Sequence, residues 1–262
     1  MIICIDIGNT NTVIGTYKDD KLIQTLRIKT DTSLTADEYG IKILECLYYN
    51  KINKSEINGV IVSSVVPYLD RIISEMVKKY FALDAIFVSP GIKTSINIRL
   101  NNPKECGADL LVGAVGAVEK YGNDVIVIDM GTAITMIYIN DKNEFLGGVI
   151  MPGVHTAYQS LFSATAKLES VGINDVTQVI GKDTRASLQS GMVFGTVSMI
   201  EGMIDRFKET YKNAKVVITG GESKTLYSYF NKKYKIIYDE FLLLDGLNIL
   251  YKKNKGERKW TI

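Results

Sequence analysis

The sequence predicts an α/β protein with two similar lobes, because one pattern occurs twice along the chain. A β-branched run at residues 2–7 and another at 125–130 each lead into a polar turn and a second extended run. Three residue types recur at an interval of 123 residues, in the pairs Asp6 and Asp129, Gly8 and Gly131, and Thr12 and Thr135. Repetition of one strand–turn–strand unit indicates two similar lobes with a cleft between them.

Each lobe is predicted to hold a meander of three strands followed by helices and a further strand. In the first lobe, the later strands of the meander are TVIGTY and KLIQTLRI, and the further strand is in GVIVSSVVP. In the second lobe, the corresponding segments are ITMIYI, EFLGGVIM and KVVITGGE. The boundary is predicted near residues 115–122, inside or just after a helical stretch. The lobes are therefore expected to comprise residues 1–117 and 118–262.

Four further segments are predicted from local signals. Thr35 followed by Glu38 forms a capping-box pattern, which predicts the start of a helix. The stretch 184–212 predicts one or two helices, and 241–253 predicts a closing helix. Residues 88–105 contain prolines, a glycine and several asparagines, which indicate an irregular loop with one short strand. Long loops in compact domains are often functional.

Composition excludes several classes of protein. Of the 262 residues, 46% are hydrophobic and 23% charged, which is typical of a globular chain and atypical of a disordered one. A net charge of +2 disfavours a nucleic-acid binder. The single histidine, His155, and three scattered cysteines cannot supply a His/Cys zinc site, and they disfavour a disulfide scaffold. The longest apolar stretch, 110–118, is far shorter than the ~20 residues of a membrane span. We expect a cytoplasmic protein.

A polar hairpin is the main chemical signal. It reads Asp6-Ile7-Gly8-Asn9-Thr10-Asn11-Thr12 and joins one strand to another, unlike a P-loop or a Rossmann fingerprint, which opens a helix. The glycine allows the backbone to approach a phosphate, and the carboxylate can hold Mg²⁺ or its water. The alternative is a β-turn rich in Asn and Gly. Recurrence of the pattern at 129–132 favours nucleotide binding by both lobes.

The duplicated hairpins, together with Gly220-Gly221 after the last internal strand, resemble the acetate and sugar kinase, heat-shock-70 and actin superfamily, in which two RNase H-like lobes close on ATP. Within it, the type III pantothenate kinase family is similar over nearly the whole chain. The motifs that carry this resemblance are DIGNTNTV at 6–13, VSSVVP at 62–67, SPGIKT at 89–94, NNP at 101–103, GAD at 107–109, DMGTA at 129–133, GGVIMPG at 147–153, AKLE at 166–169 and GKDT at 181–184.

The resemblance implies an ATP-dependent phosphorylation of pantothenate to 4'-phosphopantothenate, the first step of coenzyme A biosynthesis, by a homodimer. It implies Mg²⁺ with ATP and a monovalent cation, K⁺ or NH₄⁺. The residues implied to bind ATP are Asp6, Ile7, Gly8, Asn9, Thr10, Asn11, Thr12, Val13 and Thr132. Asp6 is implied to lie near Mg²⁺, and Asp129 to bind the monovalent cation.

On the substrate side, the resemblance implies that Asp109 accepts the proton of the pantothenate hydroxyl, and that Gly107, Ala108 and Thr184 line the pantothenate pocket near a dimer interface. From the residues alone, Asp109 follows a glycine at a predicted helix start, where a carboxylate also serves as a cap. Both roles are open at this point.

Two positions in the implied pocket depart from the family pattern. Leu110 stands where the family usually has an arginine that helps to hold the pantothenate carboxylate, and Leu100 stands where it usually has a tyrosine. Arg99 and Lys104 are candidates to compensate. Two other functions are consistent with these changes: a catalytically diverged ATP-binding relative with a regulatory or accessory role, and a phosphatase of nucleotides or polyphosphate. Retention of the chemical positions Asp6, Asp109, Asp129 and Thr184 favours the kinase.

Overall fold

The computed structural model describes residues 1–165, 168–173 and 176–255. Two residues of the AKLE motif, Ala166 and Lys167, lie outside these ranges. The chain forms two compact units, one of Met1–Lys120 together with the segment that begins at Phe241, the other of Tyr121–Glu240. Each unit has its own sheet and its own apolar core.

The first unit contains a mixed sheet in the order β3-β2-β1-β4-β5. Its strands are β1 (Ile2–Ile7), β2 (Asn11–Lys18), β3 (Lys21–Lys29), β4 (Gly59–Ser64) and β5 (Ile86–Phe87). The first three form an antiparallel meander, β4 runs parallel to β1, and β5 runs parallel to β4. A short strand, β6 (Asn97–Ile98), lies in the segment predicted as an irregular loop.

Helices cover both faces of this sheet. They are α1 (Ala36–Tyr49), α2 (Pro67–Phe81), α3 (Ala108–Tyr121) and, at the end of the described chain, α8 (Leu242–Asn254). The capping box that Thr35 and Glu38 predict begins α1. Alternate residues of β1 (Ile3, Ile5 and Ile7) share one core with α1 and α2. The opposite face of β1 and β4 carries α8.

The second unit repeats this arrangement. Its strands lie in the order β11-β10-β7-β8-β9, which corresponds one by one to β5-β4-β1-β2-β3. They are β7 (Val125–Met130), β8 (Ala133–Ile139), β9 (Glu144–Pro152), β10 (Lys215–Thr219) and β11 (Ile236–Tyr238). The helices are α4 (Val154–Ala164), α5 (Thr184–Ser190), α6 (Thr196–Thr210) and α7 (Ser223–Leu226), with a π-helical turn between α5 and α6. The predicted duplication is therefore confirmed.

The units divide the chain differently from the prediction in one segment. The first change of unit, after Lys120, lies close to the predicted boundary, but α8 groups with the first unit rather than with residues 118–262. Close packing explains the difference, because a Cβ at Gly246 would overlap the backbone of Val112 in α3. Gly116 of α3 likewise lies against Leu242 of α8 in the same unit.

The two hairpins differ in length by one residue. In the first, Asp6 is paired with Val13, so six residues lie between the partners. In the second, Asp129 is paired with Thr135, and five residues lie between them. Thr12 and Thr135, which match at an interval of 123 in the sequence, therefore occupy different register positions. The extra residue gives the first hairpin a longer loop.

No helix among the described residues combines the length and apolar character needed to cross a membrane.

Candidate active site

The first hairpin is closed by its own backbone. The Gly8 amide donates a hydrogen bond of 3.0 Å to the Asn11 carbonyl, and a Cβ at Gly8 would lie only 3.1 Å from that oxygen. Asn9 and Thr10, at the tip, are exposed. The loop thus presents its amides and short polar side chains at the carboxyl end of β1, in an arrangement suited to an anion.

Thr30, at the end of β3, fixes this hairpin from the side. Its hydroxyl donates to the Gly8 carbonyl at 2.7 Å, and its amide donates to the Thr10 carbonyl at 2.9 Å. The hydroxyls of Thr30 and Thr12 lie 2.9 Å apart, and since the Thr30 proton is committed to Gly8, Thr12 is the donor between them. Thr30 was not among the site residues predicted from the sequence. The polar run Thr30-Asp31-Thr32-Ser33 after a strand was the available signal.

The residues around Asp6 fit a magnesium ion that is shared with a nucleotide. Asp6 ends β1, is partly buried, and is paired with Ser63 on the parallel strand β4. The Ser63 hydroxyl is fully buried and makes no hydrogen bond in the structure. No cluster of three or more His, Cys, Asp or Glu among the described residues could hold a metal by itself. One carboxylate with hydroxyls suits Mg²⁺, which takes its other ligands from phosphates and water.

The second hairpin packs on the start of α4. The Thr132 carbonyl accepts hydrogen bonds from the Gly153 amide at 3.0 Å and from the Thr156 hydroxyl at 2.7 Å. A Cβ at Gly153 would overlap the carbonyls of Gly131 and Thr132. The Thr132 side chain is exposed.

Asp129 lies directly against the turn after β10. Gly220 has φ +96, and a Cβ there would overlap the Asp129 carboxylate and the backbone of Met130. The turn is held by a 3.0 Å hydrogen bond from the Glu222 amide to the Met130 carbonyl. The Gly220 carbonyl accepts two hydrogen bonds from Ser223.

The Asp129 region offers hard oxygen donors, as K⁺ or NH₄⁺ would require. The neighbouring carbonyls of Thr132 and Gly220 each already accept two hydrogen bonds. The carboxylate of Asp129 is the charged oxygen donor beside this turn. Nearby, His155 is mostly exposed, and its Nε2 lies 3.3 Å from Oε1 of Glu222.

Asp109 is the second residue of α3 and is partly buried. Its Oδ1 accepts a 2.9 Å hydrogen bond from the Leu110 amide, and a Cβ at Gly107 would lie 2.5 Å from the same oxygen. Burial raises the pKa of the Asp109 carboxyl above its ordinary value, although the amides of Leu110 and Asp109 partly oppose this shift. The carboxylate therefore both serves the helix start and has the raised pKa expected of a base.

Desolvation also affects the neighbouring thiol. Burial, with a smaller contribution from the charge of Asp109, raises the pKa of Cys106 to about 11. Cys106 is therefore a neutral thiol at physiological pH and no competitor to Asp109 as a base.

The remaining residues that the resemblance implies for the pantothenate pocket lie at the start of α3, after β6 and at the start of α5. Gly107, Ala108 and Leu110 surround Asp109 at the start of α3, and partly buried Leu100 follows β6. Arg99 and Lys104, the candidates to compensate for Leu110, are both exposed. Thr184 begins α5 in the second unit and lines an open depression of about 570 Å³. The described residues lining this depression are Tyr158, Leu161, Leu168, Gly181, Lys182, Asp183, Thr184, Ser187 and Leu188.

Comparison with known proteins identifies the family. The family model for type III pantothenate kinase matches residues 2–206. A type III pantothenate kinase of Bacillus cytotoxicus is 41% identical over 255 residues, which cover 97% of each chain. The chain belongs to the type III pantothenate kinase family.

Solved structures agree with this kinase fold. A Campylobacter jejuni protein described as a Baf family transcriptional activator has a TM-score of 0.59 at 19% identity, covering 96% of this chain and 98% of that one. An inorganic polyphosphate/ATP-glucomannokinase of Arthrobacter sp. has a TM-score of 0.51 at 13% identity, covering 95% and 96%. At these identities the likeness concerns the fold alone. The predicted fold class, two duplicated RNase H-like lobes, is confirmed.

Membership of a kinase family indicates the chemistry that the chain must support. A kinase uses ATP with a divalent metal, and phosphoryl transfer depends chiefly on positioning and on charge neutralisation. The candidate residues are the Asp6 hairpin and Asp109 within the first unit, and Asp129 and Thr132 within the second. Each of these lies at a strand end or a helix start, so its backbone is fixed by regular structure.

Proposed function

We propose that this chain transfers the γ-phosphoryl group of ATP to the hydroxyl of pantothenate, forming 4'-phosphopantothenate and ADP at the start of coenzyme A biosynthesis. The observation that carries the proposal is Asp109, a partly buried carboxylate with a raised pKa at the start of α3. It stands in a chain that is 41% identical to a type III pantothenate kinase over almost its whole length.

In this proposal the first hairpin binds the ATP phosphates. The backbone amides at the tip of the loop and the hydroxyl of Thr10 face the phosphate oxygens, and Thr132 adds a hydroxyl from the second hairpin. Thr12, whose buried hydroxyl is bonded to Thr30, supports the loop. Asp6 holds Mg²⁺ or one of its waters. The ion neutralises charge on the phosphates, which is a large part of what this reaction needs.

Asp109 is the proposed general base. The pantothenate hydroxyl oxygen forms a bond to the γ-phosphorus, and the bond from that phosphorus to the β,γ-bridging oxygen breaks, so that ADP leaves. The hydroxyl proton passes to the Asp109 carboxylate. A positioned base contributes roughly 10²–10⁴-fold to such a step.

We further propose that Asp129 binds K⁺ or NH₄⁺ beside the phosphates. This assignment is supported by the carboxylate lying against the Gly220 turn. Sodium, which is smaller, should replace it poorly.

The pantothenate pocket is proposed to include Leu100, Gly107, Ala108, Leu110 and Thr184. Because Leu110 carries no charge, we expect Arg99 or Lys104 to meet the pantothenate carboxylate. Loss of a hydrogen bond to a charged group costs about 1.5–3 kcal/mol, so without compensation the KM for pantothenate should be about 10- to 100-fold higher.

A homodimer in the cytoplasm is also proposed. Support comes from large apolar side chains exposed on the second unit: Ile150, Leu161, Val179 and Ile180. Cys4, Cys46 and Cys106 are all free thiols, in keeping with a reducing compartment.

The test is ADP release by the purified chain with Mg²⁺ and ATP, with and without pantothenate, in K⁺ or NH₄⁺ and in Na⁺. Pantothenate-dependent release that requires K⁺ or NH₄⁺ is expected. ATP binding without pantothenate-dependent release would favour a diverged relative, to which Leu100 and Leu110 point. Release of ADP without any added alcohol would favour a phosphatase.

A further inference from the structure

Ser63 lies on β4, next to Asp6 of β1. Among the described residues of β4, Ser63 is the one whose buried side-chain hydroxyl has no hydrogen-bond partner. Its side chain is fully buried, and its hydroxyl makes no hydrogen bond. A buried hydroxyl normally has a partner, and an unmet one weakens the fold. An unpaired buried hydroxyl is consistent with a side chain that gains its hydrogen-bond partner in another state of the protein, such as the ligand-bound one.

The sheet register places the Ser63 side chain next to that of Asp6, on the same face of the sheet. Ser63 of β4 and Asp6 of β1 are paired on adjacent parallel strands. The residues on either side, Ile5 and Ile7 on β1 and Val62 on β4, belong to the core beneath α1 and α2. Because side chains alternate between the faces of a sheet, Ser63 and Asp6 both project to the opposite face.

We propose that Ser63 is a positioning residue for the metal site: its hydroxyl donates a hydrogen bond to the Asp6 carboxylate when MgATP is bound. This inference rests on the proposed function only in taking Asp6 as the Mg²⁺-binding carboxylate. The hydrogen bond fixes which carboxylate oxygen faces the ion. Partners that orient metal-binding carboxylates typically change metal affinity or activity about 10- to 100-fold when they are removed.

The test compares two substitutions at Ser63 with a matched control. Ser63→Ala removes the hydroxyl, and Ser63→Cys retains most of the volume with a much weaker donor. Ser64→Ala is the control, because its hydroxyl accepts a 3.2 Å hydrogen bond from the Val66 amide and its side chain belongs to the other face of the sheet. Calorimetry measures ATP binding by each chain with Mg²⁺ and, separately, with EDTA.

We expect both Ser63 variants to bind MgATP about 10- to 100-fold more weakly while their binding of metal-free ATP is unchanged. Ser63→Ala should also unfold no more easily than wild type in the absence of ligand, since it removes an unpaired group. Ser64→Ala should keep wild-type MgATP affinity. Equal losses with Mg²⁺ and with EDTA, or unchanged MgATP affinity in both Ser63 variants, would overturn the role.

The same measurements separate this inference from the proposed function. A wild-type chain that binds MgATP but does not phosphorylate pantothenate would contradict the proposed function. The role of Ser63 would then still be tested by the MgATP affinities of its variants. A wild-type chain that binds no MgATP would overturn both.

Discussion

The hydroxyl of Thr30 donates a 2.7 Å hydrogen bond to the carbonyl of Gly8, and through it the end of β3 holds the hairpin that follows β1. The same hydroxyl oxygen accepts from Thr12, whose side chain is buried. A loop of Asn and Thr would otherwise sample several conformations, at a cost in entropy whenever a phosphate ordered it. Because the Thr30 hydrogen bond orders the loop when the protein folds, less entropy is lost when a phosphate binds.

Thr30→Val is therefore expected to raise the KM for ATP more than it lowers kcat. The substitution keeps the shape but removes the donor to Gly8 and leaves the Thr12 hydroxyl without its acceptor, which should also lower the free energy of unfolding by about 1–3 kcal/mol. Thr30→Ser, which retains the hydroxyl, should behave like wild type. Steady-state kinetics and urea unfolding test this, and a wild-type KM in Thr30→Val would contradict it.

Gly220→Ala should destabilise the second unit and abolish the response to K⁺. The new Cβ would overlap the Asp129 carboxylate and the Met130 backbone, and the left-handed φ of +96 alone costs of order 1–3 kcal/mol in a residue with a side chain. Thermal unfolding and activity in K⁺ against Na⁺ measure the effect.

The control for Gly220→Ala is Gly202→Ala on α6, where a Cβ meets nothing within 4 Å. Alanine is preferred in a helix, so this variant should be roughly 0.5–1 kcal/mol more stable than wild type and equally active. Equal losses in the two variants would rule out a specific role for the contact between Gly220 and Asp129.

Asp109→Asn is expected to fold at least as stably as wild type and to lose most turnover, by roughly 10²–10⁴-fold. Asparagine can still accept the hydrogen bond from the Leu110 amide, so the start of α3 is preserved. Differential scanning calorimetry and single-turnover phosphorylation would show the two effects. Near-wild-type kcat would remove Asp109 from the role of base.

The pH dependence of stability gives a second test at Asp109. Because the folded pKa of Asp109 is raised, its contribution to stability is fully present below the unfolded value of about 3.9 and is lost as pH rises through the folded value. At neutral pH the ionised carboxylate therefore destabilises the fold. Relative to wild type, Asp109→Asn should gain stability as pH rises through this window, and a difference that is constant with pH would contradict the shift.

The pH dependence of kcat/KM gives a further test of the raised pKa of Asp109. The base acts only when deprotonated, so kcat/KM should fall on the acid side at a pH above that at which an ordinary aspartate titrates. A pH profile of kcat/KM for pantothenate measures this limb. An acid limb at or below about 3.9 would contradict either the raised pKa of Asp109 or its role as the base.

Asp245 should be important for the stability of the first unit. It accepts a 2.6 Å hydrogen bond from the hydroxyl of fully buried Tyr17 and pairs with Lys120 of α3, so it joins α8 to β2 and α3. Asp245→Ala would leave the Tyr17 hydroxyl buried without this acceptor, and we expect a loss of about 1–3 kcal/mol in urea unfolding.

Asp20→Ala is the matched control for Asp245→Ala, because it breaks another ion pair of α8, that with Lys252. The Asp20 side chain is mostly exposed, so its loss should change stability little. Equal losses in the free energy of unfolding for the two variants would contradict a special contribution of the buried Asp245 contacts.

The sequence by itself determined the duplication, the two acidic hairpins and the family. These depend on local periodicity, on short-range turn chemistry and on motifs whose order is visible in one dimension. The helix starting after Thr35 and the closing helix were predictable for the same reason, since a capping box and an apolar periodicity involve residues only a few positions apart.

Only the tertiary structure decided which distant residues support those hairpins. The support of Gly8 by Thr30, the contact of Gly220 with Asp129 and the register of Ser63 with Asp6 join residues from separate elements. The assignment of α8 to the first unit likewise depends on how closely Gly246 lets it approach α3. Such contacts are set by sheet order and helix packing, which bring together residues that no local pattern links.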